Sequence, residues 1–246
     1  IPLFEGYGMT ENTAGASMNF VDHNRIGSVG PALPGTKIKI AEDGEVLIKG
    51  EHVMKGYYNN SQATDETILD GWLYTGDVGK IDEDGYLYIT GRKKEIYVSS
   101  AGKNIPPLVI EETMKSIPII SQCFLVGDNR NFCTALFTLD VGAILRDNIG
   151  IDSNEIPKDP AEQIKMLKEN GYSLSDFTNS DEVRESIQDA VTMLNDQFSN
   201  PEQVKKFTIL PRDLSIDDGE LTPTLKIRRN QIADNWSDAI ELMYKE

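Results

Sequence analysis

Short alternating runs of apolar and polar residues, separated by glycine-containing and acidic turns, dominate the chain up to Arg92. Thr36–Ile40 reads Thr-Lys-Ile-Lys-Ile, the period of a half-buried strand, and a Glu-Asp-Gly turn follows it. Residues 61–69 combine helix formers with Ser61 as the expected N-cap. The predicted strands are Thr36–Ile40, Glu45–Lys49, Trp72–Tyr74, Val78–Ile81 and Tyr86–Thr90. Such short strands between tight turns predict a small antiparallel sheet or barrel.

Longer elements follow Arg92. Pro107 stands at the expected first position of a helix that reaches Ile117, and two β-rich runs flanking a polar turn predict a hairpin. The further predicted elements are strands at Glu95–Ser100, Ile119–Gly127, Phe132–Leu139 and Val204–Leu210, helices at 141–150, 160–170, 180–198 and Arg228–Tyr244, and polar connectors at 151–159 and 171–179. The fold class is therefore α+β, with a β-barrel-like subdomain over residues 1–94 and an α+β domain over residues 95–246. We expect a helical insertion at about 147–200 in the second domain.

The charge balance restricts the classes of function that the chain can have. Lys and Arg number 24 and Asp and Glu number 40, which gives a net charge of −16. This excludes a general nucleic-acid binder, which needs a basic face, but a few cations and backbone amides can still hold a phosphate. No apolar run approaches the roughly 20 residues that cross a bilayer, and no signal peptide is recognisable. We expect a cytoplasmic protein, and peripheral contact with the inner membrane face is left open.

The two cysteines, Cys123 and Cys133, form no metal-binding pattern. Free thiols in a reducing compartment are the favoured interpretation, although a hairpin between them leaves a disulfide open. The chain begins with Ile1 and runs directly into a motif, so we expect it to be a piece of a longer protein.

The first candidate site is Tyr7-Gly8-Met9-Thr10-Glu11. An aromatic face can stack on a purine, a glycine permits close backbone approach, a hydroxyl can bind a phosphate oxygen, and a carboxylate can hold Mg²⁺. By itself the segment also fits a surface turn with a packed tyrosine.

Two further segments carry charge at turns. Gly71–Asp77 ends in an aspartate that can accept charge-assisted hydrogen bonds from ribose hydroxyls, and Gly91-Arg92 offers a guanidinium fork for ribose or phosphate. In Leu221–Lys226 a lysine on a loop can stabilise negative charge that develops in phosphoryl or nucleotidyl transfer. Each segment alone also fits an ordinary turn: a strand-end aspartate, a solvated basic turn and an exposed loop lysine, respectively.

The order of these motifs is more specific than any one of them. Tyr-Gly-Met-Thr-Glu, Gly-Trp-x-Tyr-Thr-Gly-Asp, Gly-Arg-Lys-Lys-Glu and Leu-Thr-Pro-Thr-x-Lys follow one another along nearly the whole chain. This order resembles the adenylate-forming superfamily of acyl-CoA synthetases, luciferases and peptide-synthetase adenylation domains. The long loop at 99–107 and the insertion at 147–200 are similar to those of long-chain fatty acyl-CoA synthetases of the bubblegum-like and bacterial type.

The resemblance implies an enzyme that activates a fatty acid with ATP and Mg²⁺ to an acyl-adenylate and transfers the acyl group to CoA. Tyr7 and Gly8 are then expected at adenine, Thr10 at phosphate and Glu11 at Mg²⁺. Asp77 and Arg92 are expected at the ribose.

In the second domain the resemblance makes Lys226 the adenylation lysine and Lys94 the hinge of a mobile lid. The backbone of Ala101 and Gly102 would line the pantetheine tunnel, although Ala101 replaces the usual glycine. Lys103 is a weaker candidate for CoA phosphate, against a solvated lysine.

Three interpretations stay open at this point. The carboxylate substrate of the full-length protein could instead be an aryl acid or an amino acid, or the chain could be a binding module without catalysis. Because the phosphate loop and acyl pocket of the family are not in this sequence, we expect the chain alone to be inactive. Its expected partners are fatty acid, ATP, CoA and the N-terminal domain of the same protein, which would also make any membrane contact.

Overall fold

The computed structural model describes residues 2–100 and 102–245. The chain divides between Ile96 and Tyr97 into two compact units, called here the N-terminal and the C-terminal unit. Both units contain helices and strands, which agrees with the predicted mixture of α and β structure. In the part of the chain that is described, no helix combines the length and the apolar character needed to cross a membrane.

The N-terminal unit is built on a curled antiparallel sheet. Its elements are β1 (Gly6–Tyr7), β2 (Ser17–Met18), β3 (Lys37–Ile40), β4 (Glu45–Lys49), α1 (Ser61–Thr67), β5 (Ile68–Leu69), β6 (Trp72–Ile81) and β7 (Leu87–Arg92). In the main sheet β3 pairs with β4, and β6 pairs with β4, β5 and β7. β6 is thus the strand around which the sheet is organised, and it carries the Gly-Asp motif.

Two details of this unit differ from the sequence prediction. Trp72–Tyr74 and Val78–Ile81 were expected as separate strands, but β6 is continuous, with register shifts against β4 and β7. Gly76, at φ +72, absorbs the irregularity as a bulge, so the Thr-Gly-Asp signal bends the strand without ending it. The N-cap of α1 is Asn60, whose side chain accepts the Ala63 amide, one residue earlier than the predicted Ser61.

The C-terminal unit surrounds a three-stranded sheet. Its elements are β8 (Tyr97–Val98), β9 (Asn104–Ile105), α2 (Pro107–Met114), β10 (Ile120–Val126), β11 (Cys133–Leu139), α3 (Val141–Ala143) with a π-helical turn at Ile144–Ile149, α4 (Pro160–Glu169), α5 (Leu174–Thr178), α6 (Asp181–Asn195), β12 (Val204–Ile209), α7 (Arg229–Asn235) and α8 (Ser237–Tyr244). β10 and β11 form the predicted hairpin, and β12 lies parallel to β11. The buried Cys123 and Cys133 are both free thiols, so they do not form a disulfide.

The central strand β11 is buried along its whole length because helices cover both faces of the sheet. Ala135 and Phe137 point to a core shared with α2, α4 and α6, whereas Leu136 points to a core shared with α7 and α8. This division follows the two-residue period of a strand. The predicted helical region at 147–200 therefore contributes apolar side chains to the main core of the unit.

Three predicted elements differ in the C-terminal unit. The expected strand at Glu95–Ser100 is reduced to the two residues of β8. The connector at 171–179 contains the helix α5, whose five residues are too few to show a helical period. The expected helix Arg228–Tyr244 is interrupted at Trp236, which separates α7 from α8.

Candidate functional site

Tyr7 lies at the start of a tight hairpin that contains the first motif. It stands on β1 opposite Ser17 of β2, and its ring packs against the small core of the N-terminal unit. A Cβ placed on Gly8 would lie 1.6 Å from the backbone oxygen of Ala14. The close approach of the two sides of this hairpin therefore requires glycine at position 8.

The next residues, Thr10–Asn12, form one turn of 3₁₀ helix. The side-chain oxygen of Asn12 accepts the Met9 amide at 2.8 Å, while its buried Nδ2 has no hydrogen-bond partner among the described residues. Thr10 is exposed and Glu11 half-buried. The Tyr57 hydroxyl donates to Glu11 Oε1 at 2.8 Å, and this bond raises the pKa of Tyr57. The turn thus presents a hydroxyl and an oriented carboxylate side by side.

Asp77 is the centre of the second group. It faces Arg92 across the β6–β7 pair, with Arg92 Nε 3.1 Å from Asp77 Oδ1. The Tyr7 hydroxyl donates to Asp77 Oδ2 at 2.6 Å. Burial, reinforced by this hydrogen bond, raises the pKa of Tyr7 well above its ordinary value. The contacts join an aromatic ring, a buried carboxylate and an exposed guanidinium in one cluster.

Lys93 follows Arg92 near the end of the N-terminal unit and pairs with two carboxylates. Its Nζ lies 2.6 Å from Asp43 Oδ2 and 2.8 Å from Glu45 Oε2, and these two carboxylates raise the pKa of Lys93. The other oxygen of the buried Glu45 accepts the Gly76 amide at 2.8 Å. Lys94, the predicted hinge, follows directly and is exposed. Lys93 is thus anchored to the sheet immediately before Lys94.

The predicted CoA loop begins in the C-terminal unit after β8. Ser99 is buried and holds the loop closed, because its amide donates to the Lys103 carbonyl at 2.9 Å and its hydroxyl accepts the Lys103 amide at 3.1 Å. Gly102 adopts φ +77, a conformation that favours glycine, whereas Ala101 lies outside the described residues. The Lys103 ammonium lies 3.2 Å from Glu202, so this lysine is paired and not simply solvated.

Lys226 lies on a small exposed hairpin. Leu221 and Ile227 bridge its ends. The Thr222 amide donates to the Lys226 carbonyl at 2.8 Å, and the Lys226 amide donates to Thr222 Oγ1 at 3.0 Å. Leu225 at the tip has φ +60. The hairpin therefore fixes the backbone of Lys226 and leaves its side chain exposed.

Glu220 anchors the first end of this hairpin. Its carboxylate is fully buried and accepts two hydrogen bonds from Arg212, at 2.7 and 2.9 Å. Asn235, the Trp236 indole and the Ser215 amide donate to it as well. Burial alone would raise the pKa of Glu220, but these donors outweigh it and lower the pKa to about 2. Glu220 is thus a charged anchor that ties the hairpin to α7 and to the segment before it.

The structure brings three of the predicted site residues into direct contact, namely Tyr7, Asp77 and Arg92. Glu11 is four residues further along the same hairpin as Tyr7 and contacts Tyr57. Lys226, like Gly102, belongs to the C-terminal unit.

Three residues that support the site were not predicted from the sequence. Tyr57 and Glu45 lie outside the motifs and contact the motif residues Glu11 and Gly76. Glu220 directly precedes the Leu221–Lys226 segment and is anchored by Arg212 and Ser215. An acidic residue at the start of an apolar strand, as at Glu45, and one directly before the Leu-Thr-Pro-Thr segment, as at Glu220, were the available signals.

The chemistry of these groups fits a nucleotide. An aromatic ring beside a carboxylate and a guanidinium matches a purine ribonucleoside, whose ribose hydroxyls donate to a carboxylate. No group of three or more His, Cys, Asp or Glu side chains among the described residues could hold a metal by itself. A single carboxylate at Glu11 still suits Mg²⁺, which commonly takes one or two carboxylates together with waters and substrate phosphates.

Comparison with known proteins supports this interpretation. Residues 1–58 match the family described as AMP-binding enzyme. Along its whole length the chain is 39% identical to the long-chain-fatty-acid–CoA ligase FadD15 of Mycobacterium bovis, and 38% identical to the long-chain-fatty-acid–CoA ligase ACSBG2 of Xenopus laevis. The chain spans 38% and 34% of the length of these two relatives.

Solved structures show the same fold. The o-succinylbenzoate CoA synthetase of Bacillus subtilis in complex with its acyl-adenylate intermediate superposes with a TM-score of 0.63 at 24% identity, covering 94% of this chain and 41% of that one. An anthranilate CoA ligase in complex with anthranoyl-AMP gives a TM-score of 0.66 at 20% identity, covering 94% and 39%. The chain is thus similar to the AMP-binding enzyme family over residues 1–58 and to long-chain-fatty-acid–CoA ligases over its whole length.

Proposed function

We propose that this chain is the C-terminal part of a long-chain fatty acid–CoA ligase, which converts fatty acid, ATP and CoA to acyl-CoA, AMP and pyrophosphate through an acyl-adenylate. The contact of Asp77 with both Tyr7 and Arg92 is the observation that carries the proposal, because it assembles purine- and ribose-binding chemistry from three separated segments. The choice of a long-chain acid rests on the names of the relatives matched over the whole chain.

In the N-terminal unit, the Tyr7 ring packs on adenine, and the exposed Gly8 lies beside it. Asp77 accepts hydrogen bonds from the ribose hydroxyls, and Arg92 donates a hydrogen bond to the same sugar. The Tyr7–Asp77 hydrogen bond supports this assignment because it fixes the ring and the carboxylate relative to one another before any ligand binds.

The neighbouring 3₁₀ turn binds the phosphates. Thr10 donates its hydroxyl to a phosphate oxygen, and Glu11 is the protein ligand of Mg²⁺, with Tyr57 orienting the carboxylate. Bound Mg²⁺ would neutralise the negative charge that builds on the phosphates during transfer.

Lys226 is the residue of the C-terminal unit that stabilises the adenylation transition state. Its ammonium offsets charge shared between the attacking carboxylate and the α-phosphate. The exposed hairpin supports this role, since the lysine side chain is held out into solvent on a backbone fixed by Thr222.

We further propose that residues 1–94 end a large nucleotide-binding domain in a β-barrel-like subdomain and that residues 95–246 are a mobile lid, with Lys94 as its hinge. A lid of this kind lets one site run adenylation and then thioester formation. The anchoring of Lys93 by Asp43 and Glu45 supports Lys94 as the first residue free to rotate. In the second step the backbone of Ala101 and Gly102 lines the path of the CoA pantetheine.

The two free cysteines support a reducing compartment such as the cytoplasm.

Separate assays of the two half-reactions test the proposal. In the full-length protein that contains this chain, Lys226→Ala should lower pyrophosphate release from ATP and palmitate by two orders of magnitude or more, as expected when a transition-state contact of ~3 kcal/mol is lost. Thioester formation from preformed palmitoyl-adenylate and CoA should survive.

The matched control is Lys158→Ala, which removes an exposed lysine elsewhere in the same unit. Undiminished adenylation by the Lys226 variant would refute the assignment. A panel of aryl and amino acids in place of palmitate distinguishes a ligase for another carboxylate, and the 246-residue chain alone should release no pyrophosphate.

A further inference from the structure

A buried ion pair lies close to the Lys226 hairpin. Glu111 of α2 and Arg229 at the start of α7 meet through two parallel hydrogen bonds, Nη1–Oε1 at 2.7 Å and Nη2–Oε2 at 2.6 Å. Their side chains are 3% and 14% exposed. The pair is bidentate, which fixes the direction of the guanidinium as well as its distance.

The pair is part of a network that joins four elements. Glu111 Oε1 also accepts the Leu125 amide of β10 at 2.8 Å. The Tyr97 hydroxyl, at the beginning of the C-terminal unit, donates to the Leu125 carbonyl at 2.8 Å and accepts from Arg229 at 3.2 Å. The start of α7 is therefore tied at once to β8, α2 and β10.

The Lys226 hairpin leads directly into this tie, because Arg229 follows it closely along the chain. The hydrogen bonds of its backbone between Thr222 and Lys226 are local, so they keep its shape but do not direct it toward the rest of the unit. Glu220 holds the end that leads into the hairpin, and Arg229 lies three residues beyond Lys226 at the end that leaves it. Two charged anchors thus flank the hairpin, one on each side, in addition to the packing of Leu221 and Ile227 against the apolar core.

Stability alone does not account for the pair. A buried ion pair has to overcome the desolvation of both charges, and apolar residues of similar volume often stabilise a protein equally well. A bidentate ion pair, unlike an apolar contact, fixes the angle between the two elements that it joins.

We propose that Glu111 and Arg229 are positioning residues for Lys226, which fix the hairpin in the orientation that adenylation requires. This inference rests on the proposed function, in which Lys226 serves adenylation and not thioester formation. Neither residue contacts substrate in the proposal, so both act only through the hairpin.

The test compares the two half-reactions in the full-length protein with Arg229→Met, Arg229→Lys and Glu111→Gln. We expect Arg229→Met to lower kcat for adenylation with palmitate and ATP at least tenfold, with the KM for ATP changed less than twofold. Thioester formation from preformed palmitoyl-adenylate and CoA should change less than twofold. Arg229→Lys should restore part of the rate, because it returns one charged donor, and Glu111→Gln should resemble Arg229→Met.

Hydrogen exchange on the 246-residue chain supplies a readout that is independent of catalysis. In Arg229→Met the amides of residues 221–228 should exchange at least tenfold faster, while those of the central strand β11 keep their protection. The matched control is Arg228→Met, which removes an exposed arginine one residue nearer to Lys226 and should leave both the exchange and the half-reactions unchanged.

Equal loss of both half-reactions, or faster exchange in β11 as well, would show a general structural role and overturn the proposal. Unchanged adenylation in Arg229→Met and Glu111→Gln, alongside collapse in Lys226→Ala, would refute the positioning role alone. If Lys226→Ala itself retains adenylation, the proposed function fails, and the positioning role fails with it.

Discussion

Glu220 provides the most quantitative prediction, because its carboxylate is fully buried and its pKa is lowered to about 2 from an ordinary value of 4.5. The perturbation is Glu220→Gln, which keeps the shape of the side chain and removes its charge. The new amide nitrogen would face the donors of Arg212 and Trp236, so at least one hydrogen bond is replaced by a contact between donors.

The magnitude follows from the pKa. Each pKa unit corresponds to about 1.36 kcal/mol, so the difference between 4.5 and about 2 corresponds to about 3 kcal/mol. Arg212 is 39% exposed, which screens part of this interaction. We therefore expect Glu220→Gln to lower the free energy of unfolding of the C-terminal unit by ~2 kcal/mol at pH 7.

The sign of the pH dependence is fixed as well. The folded-state pKa of Glu220 is depressed, so its contribution is present above the unfolded-state pKa and is lost as the pH falls from 4.5 toward about 2. The gap between wild type and variant should be constant from pH 6 to 7 and should shrink steadily below pH 4.5. The other carboxylates cancel in this difference.

Urea unfolding followed by tryptophan fluorescence measures the effect. The chain has two tryptophans, and Trp236 donates directly to Glu220, so a Trp72→Phe background makes the signal specific for the C-terminal unit. The control is Glu169→Gln, which removes a carboxylate from an exposed pair with Lys165 and should change the free energy by less than ~0.5 kcal/mol. A Glu220→Gln difference below 0.5 kcal/mol at pH 7, or one that does not shrink on acidification, would refute the reasoning.

The remaining predictions concern the N-terminal unit. Gly8→Ala should prevent the hairpin from closing, since the new Cβ would lie 1.6 Å from the Ala14 carbonyl oxygen, and thermal unfolding should show a loss of several kcal/mol. Gly6→Ala should cost less than ~1 kcal/mol, because its Cβ would come no closer than 3.3 Å to the Met18 side chain and the Ser17 carbonyl oxygen. Similar unfolding of the two variants would contradict this. Asp77→Asn should raise the KM for ATP of the full-length protein by about 10- to 100-fold, because hydrogen bonds to a charged group contribute about 1.5–3 kcal/mol, and a KM within twofold of wild type would argue against ribose binding at this residue.

Much of the architecture was predictable because strand periods, turns and caps are local. The hairpin of β10 and β11, the proline that opens α2 and the strand β4 were all expected from short stretches of sequence. The continuity of β6 was not predictable, because a bulge at Gly76 has the same sequence signal as a turn. The same limitation applies to α5, which is too short for a helical period to develop.

The site was predictable to the extent that it lies in the motifs. The contact between Asp77 and Arg92 follows from strand pairing. The hydrogen bond from Tyr7 to Asp77 joins residues that are far apart along the chain, so no short stretch of sequence predicts it. The anchors Glu111 and Glu220 are buried charges whose partners are known only once the chain has folded. Sequence identified the groups of the proposed chemistry, and the structure identified what holds them.

The placement of alternate β11 side chains in two cores shows which helices the domain needs to keep its sheet covered. The region at 147–200 reads in the sequence as an addition to a smaller domain, yet Leu167, Ile187 and Val191 from it pack in the same core as Phe137. Removing it would uncover part of one face of the central strand, at a cost of about 1.5–3 kcal/mol for each large apolar side chain exposed. Deleting these helices would require that face of the sheet to be repacked, so they are a structural part of the core and not a removable addition.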